Sequence, residues 1–451
     1  MFSTVLIANR GEIALRVART CRELGVRTVA VYSEADRDSA VTRVADEAVC
    51  IGPADARRSY LNAAAIVTAA LRTGAEAVHP GYGFLSEDAD FAEICEAEGL
   101  TFIGPGAALM RELGDKARAR EIARAAGLPV LPGSAGSLAT LEQAASVAGS
   151  IGYPVILKAT AGGGGRGVMV VRRPEDLARA WADARASAQA VFGDPRLYLE
   201  RYLENASHIE VQVLGDGAGT VLHLGERDCS VQRRRQKLIE ETPAPGLSRD
   251  LADRICDAAV KAARQVGYAG AGTYEFLVDE SGSFTFMEVN CRIQVEHPVT
   301  EMVTGVDLVR EQLRVAAGYG LSITQQDIDP RGVAMEFRIN AEDPARGFLP
   351  TPGTVDEFQP PGGPFVRVDT HGRPGFRVSA DYDPLLAKLV VWAPDRRQAM
   401  DRADRALEEF AVSGRGVHTT RDFLRQVLAH PAFRAAKHTT GLVDALPEVR
   451  A

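Results

Sequence analysis

The sequence predicts an α/β fold for the first quarter of the chain and an α+β fold for the remainder. Near the N-terminus, the short apolar runs Val5–Ala8 and Thr28–Tyr32 flank a helical pattern whose apolar face includes Ile13 and Val17. Strands separated by helices predict a parallel sheet. After about residue 114 the predicted strands come in hairpin-like pairs, which indicates antiparallel pairing.

The composition is typical of a globular protein that binds neither nucleic acid nor membrane. A chain of 451 residues is too long for one ordinary core, so we expect two or three domains. The formal net charge of −8 disfavours a nucleic-acid partner. No apolar run approaches the ~18 residues of a membrane span. The six cysteines form no C-x-x-C pair, which favours reduced thiols and a cytoplasmic location.

Changes of pattern divide the chain into three predicted regions. In the first, the turns Asn9–Gly11 and His79–Gly83 follow strands, where α/β sheets usually bind ligands. In the second, from about residue 114, we predict a helix near Lys116 and the strands Pro154–Lys158, Val168–Val171, Leu197–Leu203, His208–Leu214, Thr273–Val278 and Phe284–Asn290. In the third, from about residue 331, we predict the strands Ala334–Ile339 and Leu389–Trp392 and a helix over Arg397–Phe410.

A predicted hairpin places two carboxylates face to face. The dipeptide Ser281-Gly282 is a candidate two-residue loop, and that loop length sets Glu275 directly opposite Glu288. Like charges in that position destabilise a sheet, so a compensating group is needed. A divalent cation such as Mg²⁺ or Mn²⁺ would serve, with Asn290 adding a carbonyl oxygen. The alternative is an exposed acidic hairpin that tolerates mild repulsion.

The second strand of this hairpin leads into the stretch MEVNCRIQVEH, residues 287–297. Charged or amide side chains stand there at every second position: Glu288, Asn290, Arg292, Gln294 and Glu296. A strand that only had to fold would not need such a pattern. The spacing predicts that these polar and charged side chains share one face of a strand.

A glycine-rich loop lies between two predicted strands. It reads KATAGGGGRG from Lys158 to Gly167, and successive glycine N–H groups can cradle a phosphate. A flexible surface loop is the more common meaning of such a run. Lys158 favours the ligand-binding interpretation, because an unpaired lysine at the end of a buried strand is costly.

Two further polar patterns have alternative explanations. His208 alternates with apolar residues in a half-polar strand and, taken alone, is more consistent with a structural role than with a ligand role. The run QRRRQK, from Gln232 to Lys237, is either a solvated face or a source of cations for a polyphosphate.

Taken together, these segments resemble a biotin carboxylase of the ATP-grasp superfamily. The matching segments, in order, are Leu6–Ala14, His79–Glu87, Gly114–Lys116, Lys158 with its glycine loop, Gly225–Ser230, Met287–Thr300 and Arg338–Asp343. The resemblance implies a dinucleotide-fold-like N-terminal domain over 1–113, an ATP-grasp domain over 114–330 with a glycine-rich lid at about 131–203, and a mixed C-terminal domain over 331–451. It also implies a homodimer, with Arg19 and Glu23 at the subunit interface.

The resemblance implies a role for each candidate site residue. The nucleotide would be bound by Lys116, Lys158, Gly164, Gly165, Glu200, Arg201, Tyr202, Leu203, His208, Gln232 and Arg235. Two Mg²⁺ or Mn²⁺ ions would be held by Glu275, Glu288 and Asn290. Bicarbonate would be bound by Lys237, Arg292, Gln294 and the backbone of Val295. Glu296 would be the general base, and Arg338 would stabilise the biotin enolate.

The implied reaction is the ATP-dependent carboxylation of carrier-bound biotin by bicarbonate, through carboxyphosphate. A carboxyltransferase subunit would use the product. None of the seven methionines is next to a lysine, whereas the family's biotin attachment site is Met-Lys-Met. We therefore expect the biotinylated carrier to be a separate protein. An acetyl-CoA or propionyl-CoA carboxylase is the favoured context.

Three alternatives remain open at this point. The chain could be another ATP-grasp ligase, the biotin carboxylase component of a pyruvate or urea carboxylase, or a non-catalytic assembly subunit. Two positions also depart from the family pattern. Arg235 stands where many members have histidine, and Cys291 stands where threonine or proline is common.

Overall fold

The computed structural model describes residues 1–160 and 168–446. The first group of elements is an α/β unit. It consists of β1 (Thr4–Ile7), α1 (Gly11–Glu23), β2 (Arg27–Ser33), α2 (Val41–Val44), β3 (Glu47–Gly52), α3 (Ala63–Thr73), β4 (Ala77–His79), α4 (Ala89–Ala97), β5 (Thr101–Phe102) and α5 (Ala107–Gly114). All its strands are parallel, in the order β3-β2-β1-β4-β5, which confirms the predicted parallel sheet.

The strand order of this sheet reverses at β1, and the two predicted ligand turns meet there. The Nδ2 atom of Asn9 donates to the carbonyl oxygens of Pro80 (2.7 Å) and Tyr82 (2.8 Å). Gly81 has a φ of 64°, and a Cβ atom on it would lie 2.8 Å from Asn9 Nδ2. Only glycine therefore allows the two turns to approach this closely.

The second group is a small three-stranded unit. Its elements are α6 (Lys116–Ala125), α7 (Leu141–Ile151), β6 (Val155–Ala159), β7 (Val168–Val171), α8 (Leu177–Phe192) and β8 (Leu197–Arg201). Strand β6 pairs antiparallel with both β7 and β8, which confirms the hairpin predicted around the glycine loop. The predicted phosphate-binding residues Gly164 and Gly165 lie outside the described residues. Strand β8 ends two residues before its predicted end at Leu203.

The third group contributes most of the largest sheet. Its elements are β9 (Ser207–Asp216), β10 (Val221–Arg233), β11 (Gln236–Thr242), α9 (Arg249–Gln265), β12 (Ala269–Val278), β13 (Phe284–Asn290), α10 (His297–Thr304) and α11 (Leu308–Ala316). The sheet has eight antiparallel strands. Three of them, β14, β19 and β21, come from the C-terminal part of the chain.

The C-terminal elements are β14 (Val333–Asn340), β15 (Glu342–Asp343), β16 (Leu349–Pro350), β17 (Gly353–Thr354), β18 (Glu357–Gln359), β19 (Val366–Thr370), β20 (Arg377–Val378), β21 (Leu385–Ala393), α12 (Arg396–Glu409), β22 (Ala411–Ser413), α13 (Arg421–Ala429), α14 (Pro431–Arg434) and α15 (Leu442–Ala445). The large sheet has the order β13-β12-β9-β10-β11-β14-β21-β19. The pairing of β11 with β14 carries it across the predicted boundary at residue 331. That boundary stays a prediction, and one continuous sheet joins the regions on either side of it.

The β12–β13 hairpin differs from its prediction in the loop but not in the position of the carboxylates. The loop has three residues, 280–282, because the N–H of Asp279 donates to the carbonyl oxygen of Ser283. Val278 therefore pairs with Phe284, one residue away from the partner that a two-residue loop would give it. A β-bulge between Glu275 and Phe276 reverses the shift, so that Glu275 again faces Glu288.

Two general predictions can be compared with the described residues. None of the helices in 1–160 and 168–446 combines the length and apolar character needed to cross a membrane. All six cysteines are free thiols, as expected from their spacing.

Candidate active site

The facing carboxylates of β12 and β13 are each neutralised by lysine. Lys116, at the start of α6, forms a salt bridge with Glu288. Glu275 is buried and accepts from Lys237 Nζ (3.2 Å), from Asn290 Nδ2 (2.8 Å) and from His208, whose Nε2 lies 2.8 Å from Oε2. The predicted metal ligands are thus brought together, and His208 lies against one of them.

Cations also hold Glu296 in an ionised state. Lys237 Nζ donates to its Oε1 (2.5 Å), and Arg338 Nη2 donates to its Oε2 (3.0 Å). Burial disfavours the charged form, but Lys237 and Arg338 outweigh this effect and hold the pKa of Glu296 well below its usual value. Burial likewise opposes ionisation of Glu275, and Lys237 and His208 lower the pKa of that carboxyl. Both carboxylates therefore carry charge at neutral pH.

Lys237 is the cation shared by these carboxylates. Its ammonium group also donates to Oε2 of Glu210 at 2.5 Å, so three buried carboxylates surround one Nζ atom. Burial favours loss of its proton, but Glu210, Glu275 and Glu296 raise the pKa of Lys237 well above its usual value. The last residue and the middle residues of the QRRRQK run therefore lie in different surroundings. Lys237 belongs to the site, while Arg234 and Arg235 are exposed at a hairpin tip.

The alternation of side chains along a strand explains the positions of only part of the MEVNCRIQVEH stretch. Glu288 and Asn290 belong to β13, but the strand ends at Asn290, and the next residues form an irregular segment that leads into α10. The prediction that all five polar side chains share one strand face was therefore wrong for Arg292, Gln294 and Glu296. These side chains reach the site because the segment is irregular and Glu296 occupies the N-cap position of α10, where its carboxylate contacts Lys237 and Arg338 instead of the helix N–H groups.

Arg292 ties this irregular segment to the N-terminal unit. Its Nε donates to Glu87 (2.8 Å), Nη1 to Gln294 Oε1 (2.8 Å) and Nη2 to Asn290 Oδ1 (3.0 Å). Gln294 in turn donates to Glu275 Oε1 at 3.2 Å. A guanidinium group, an amide and the first turn of a helix therefore converge, an arrangement that favours a small anion. The side chain of Cys291 packs in the core, away from these groups.

The residues predicted to bind the nucleotide lie along the adjoining three-stranded unit. Lys158 and Arg120 both form salt bridges with Glu200, so Lys158 is paired, as its position in a buried strand predicted. After Arg201 the chain leaves β8. The N–H groups of Arg201 and Tyr202 donate to the carbonyl oxygens of Pro132 (2.8 Å) and Pro154 (3.0 Å). Leu203 follows in this connecting segment and is half-buried.

Arg234 and Arg235 are the two central residues of the β10–β11 turn. Arg233 pairs with Gln236, and the turn residues have φ of 46° and 67°. Two successive residues with positive φ define the two-residue turn that fits the twist of a hairpin, although asparagine and glycine are usual there. Gln232 is half-buried in the strand that precedes the turn and pairs with Lys237.

Comparison with known proteins assigns these parts to one enzyme family. The biotin carboxylase N-terminal domain matches residues 1–110, the ATP-binding domain of the carbamoyl-phosphate synthase L chain matches 115–324, and the biotin carboxylase C-terminal domain matches 336–445. Biotin carboxylase 1 of Bacillus subtilis (strain 168) is 50% identical over 445 residues, which cover 98% of each chain. The chain belongs to the biotin carboxylase family.

Two similar solved structures are the biotin carboxylase parts of larger enzymes. The crystal structure of the biotin carboxylase domain dimer of Hydrogenobacter thermophilus 2-oxoglutarate carboxylase, in complex with MgADP, ADP and bicarbonate, matches with a TM-score of 0.97. That match has 49% identity and covers 100% of this chain and 99% of the other. The biotin carboxylase component of a pyruvate carboxylase matches with a TM-score of 0.84 and 47% identity, over 100% of this chain and 99% of the other.

Several charged residues that contact the candidate site were not singled out from the sequence. They are Glu12, Glu87, Arg120, Glu210, Arg227, Glu240 and Lys388. Glu210 alternates with His208 and Gln212 on β9, so the half-polar pattern of that strand was a usable signal. Lys388 is a single lysine in the apolar strand β21, the same signal that pointed to Lys158.

Proposed function

We propose that this biotin carboxylase transfers a carboxyl group from bicarbonate to biotin on a carrier protein, with cleavage of ATP. The observation that carries the proposal is the convergence of Lys237 and Arg338 on the ionised Glu296, beside the facing carboxylates Glu275 and Glu288. One region of the large sheet thus offers a base, cations for an anion and a carboxylate pair for a divalent cation. The related structure in complex with MgADP and bicarbonate supports the same assignment.

In the first step, Glu296 would take the proton of bicarbonate while Lys237 and Arg292 hold the anion. Lys237 already contacts Glu296 at 2.5 Å, so an anion on Lys237 lies beside the base. The anion would also compete for the charge of Lys237 and so raise the proton affinity of Glu296. Glu296 would therefore become a stronger base when the substrate is bound.

The donor set fits the expected magnesium or manganese ions. Hard cations prefer oxygen ligands, and Glu275, Glu288 and the Asn290 carbonyl oxygen supply them within one hairpin. When bound, the metal would neutralise negative charge on the phosphates of ATP. Lys116 and Lys158 would exchange their carboxylate partners, Glu288 and Glu200, for nucleotide phosphates.

The second step would use Arg338. Bicarbonate would attack the γ-phosphate of ATP to give carboxyphosphate and release ADP, and carboxyphosphate would break down to CO₂ and phosphate. The phosphate would take the ureido proton of biotin, Arg338 would stabilise the resulting enolate, and the enolate would attack CO₂. The Nε atom of Arg338 donates to Glu240 Oε1 at 2.6 Å, which fixes the guanidinium group in the site.

The reaction can be tested by measuring ADP release from the purified chain with Mg²⁺. We expect release to require bicarbonate and to increase strongly when biotin is present. ADP release that instead requires an amine acceptor would identify another ATP-grasp ligase. No ADP release with any of these additions would identify a non-catalytic subunit.

The wider assembly is a separate part of the proposal. A biotinylated carrier protein and a carboxyltransferase subunit would complete the cycle, with acetyl-CoA or propionyl-CoA as the favoured acceptor and the cytoplasm as the location. Arg19 and Glu23 are exposed on α1 and available to a second copy, which supports the proposed homodimer. The proteins that co-purify with the native chain would decide between these acceptors and pyruvate, 2-oxoglutarate or urea.

A further inference from the structure

Four charged side chains lie on one buried face of the large sheet, beneath α10. The register places Glu240 opposite Glu336 and Arg338 opposite Lys388, so all four side chains point to the same side. Helix α10 packs on this part of the sheet through Val299 and Val303. The proposed mechanism uses only Arg338 and its partner Glu240.

Lys388 reaches from this face to the turn that carries the proposed base. The lysine is fully buried, and its Nζ donates to the carbonyl oxygen of Val295 at 2.8 Å. The same Nζ lies 2.9 Å from Oε1 of Glu12 and 4.0 Å from Oδ2 of Asp369. Burial disfavours its charge, but Glu12, with Glu336 and Asp369, raises the pKa of Lys388 above its usual value.

The contact with Val295 has a direct consequence for Glu296. The carbonyl group of Val295 and the N–H group of Glu296 belong to one planar peptide unit. An ammonium group that anchors the Val295 oxygen therefore fixes the orientation of the backbone on which the Glu296 side chain is mounted. A charged donor is well suited to this task, because its hydrogen bonds are about twice as strong as neutral ones.

We propose that Lys388 is a positioning residue that holds the Val295–Glu296 turn in place for bicarbonate. The inference rests on the proposed function and deepens it by adding a residue that acts on the base through the backbone.

The positioning role is tested with Lys388→Met in the full chain, in an assay of bicarbonate- and biotin-dependent ADP release. We expect the KM for bicarbonate to rise by ~10-fold or more, the scale of a lost charge-assisted hydrogen bond, while the KM for ATP changes by less than about two-fold. Lys437→Met, at an exposed lysine, is the matched control and should change neither constant. An unchanged KM for bicarbonate, or an equal rise in both constants, would overturn the proposal.

A second variant separates this effect from misfolding. Lys388→Met leaves Glu12 without its nearest cation, so Glu12→Gln/Lys388→Met removes both charges and should fold even if the single variant does not. We expect the same selective rise in the KM for bicarbonate. If the unmodified chain releases no ADP in response to bicarbonate, the proposed function fails first. If it does, and the double variant has the normal KM for bicarbonate, only the role of Lys388 fails.

Discussion

At the scale of single residues, the candidate site consists of buried charged side chains, and each of them needs a partner of opposite charge. Lys237 touches Glu210, Glu275 and Glu296, and none of these carboxylates is exposed enough to be stabilised by water. Removing one partner from such a cluster leaves an uncompensated buried charge. The rates of variants in this cluster are therefore interpreted together with a measurement of ligand binding or of folding.

Glu296→Ala tests the proposed base. Bicarbonate-dependent ATP cleavage should fall by ~10²-fold or more, the usual range for a lost general base. ATP should still bind, because Glu275 and Glu288 are retained. Steady-state rates and the Kd for ATP check this expectation, and loss of ATP binding would indicate a structural role for Glu296.

Glu288→Gln tests the proposed metal ligand. The amide keeps the size of the side chain but removes the charge that a divalent cation needs, so ATP cleavage should be abolished while the fold survives. Circular dichroism should be unchanged, and titration with Mg²⁺ should not restore activity. Full activity at saturating Mg²⁺ would contradict the metal-ligand role.

Arg338→Ala tests the separation of the two half-reactions. Transfer to biotin should lose more activity than bicarbonate-dependent ATP cleavage, because the proposed role of the guanidinium group is to stabilise the enolate. Arg331→Ala, at an exposed arginine two residues before β14, is the matched control. Equal losses in both half-reactions would indicate a packing or phosphate-binding role instead.

At the scale of secondary-structure elements, the segment after α14 joins the C-terminal elements to the large sheet. His438 is buried, and its Nε2 lies 3.6 Å from both Asp228 on β10 and Glu241 on β11. Two residues later, the N–H of Thr440 donates to the carbonyl oxygen of Ala206 (3.0 Å), just before β9. Burial opposes the charge of the imidazole, but Asp228 and Glu241 raise the pKa of His438.

This arrangement predicts stability that depends on pH through His438. A raised folded-state pKa means that the stabilisation is complete below the unfolded value, ~6.5, and is lost as the pH rises through the folded value. His438→Gln should therefore lower the free energy of unfolding by on the order of 1 kcal/mol more at about pH 6 than at about pH 9. Urea unfolding at both pH values measures this difference. A loss of equal size at both values would show that packing against Phe433 accounts for the whole effect.

At the scale of the whole molecule, the C-terminal elements contribute residues to the candidate site instead of forming a separate unit after it. Strand β14 brings Arg338 beside Glu296, and β21 brings Lys388 beside Val295. The same part of the chain closes the ligand crevice of the N-terminal sheet, where the hydroxyl of Tyr382 donates to the Ala54 carbonyl (2.5 Å) and lies 2.6 Å from the hydroxyl oxygen of Ser33. A dinucleotide fold normally binds its ligand in that crevice.

Truncation at the predicted boundary should therefore fail to yield a folded fragment. A chain of residues 1–330 would expose the edge of β11 and the apolar residues that pack against β14, and exposed edges promote aggregation. We expect insoluble protein or a broad, non-cooperative unfolding curve, whereas the full chain unfolds cooperatively. A soluble 1–330 fragment with a sharp transition would show that the two regions fold independently.

Local patterns in the sequence were sufficient for much of the architecture and for one feature of the candidate site. Alternating strands and helices predicted the parallel N-terminal sheet, and the strands around the glycine loop paired as expected. The opposition of Glu275 and Glu288 was also predicted, although from a two-residue loop that does not exist. A longer loop and a bulge compensate each other, and neither has a clear signature in the local sequence because each depends on how the strand packs.

Only the tertiary structure decided which charges meet. Glu296 was predicted as part of an alternating strand, yet an irregular segment and a helix N-terminus place it. Its partners Lys237 and Arg338 are 59 and 42 residues away in sequence. Periodicity reports which face of one element is buried, but it contains no information about which distant element covers that face. For that reason the single lysine of β21 was visible in the sequence, while its contact with Val295 became evident only in the folded chain.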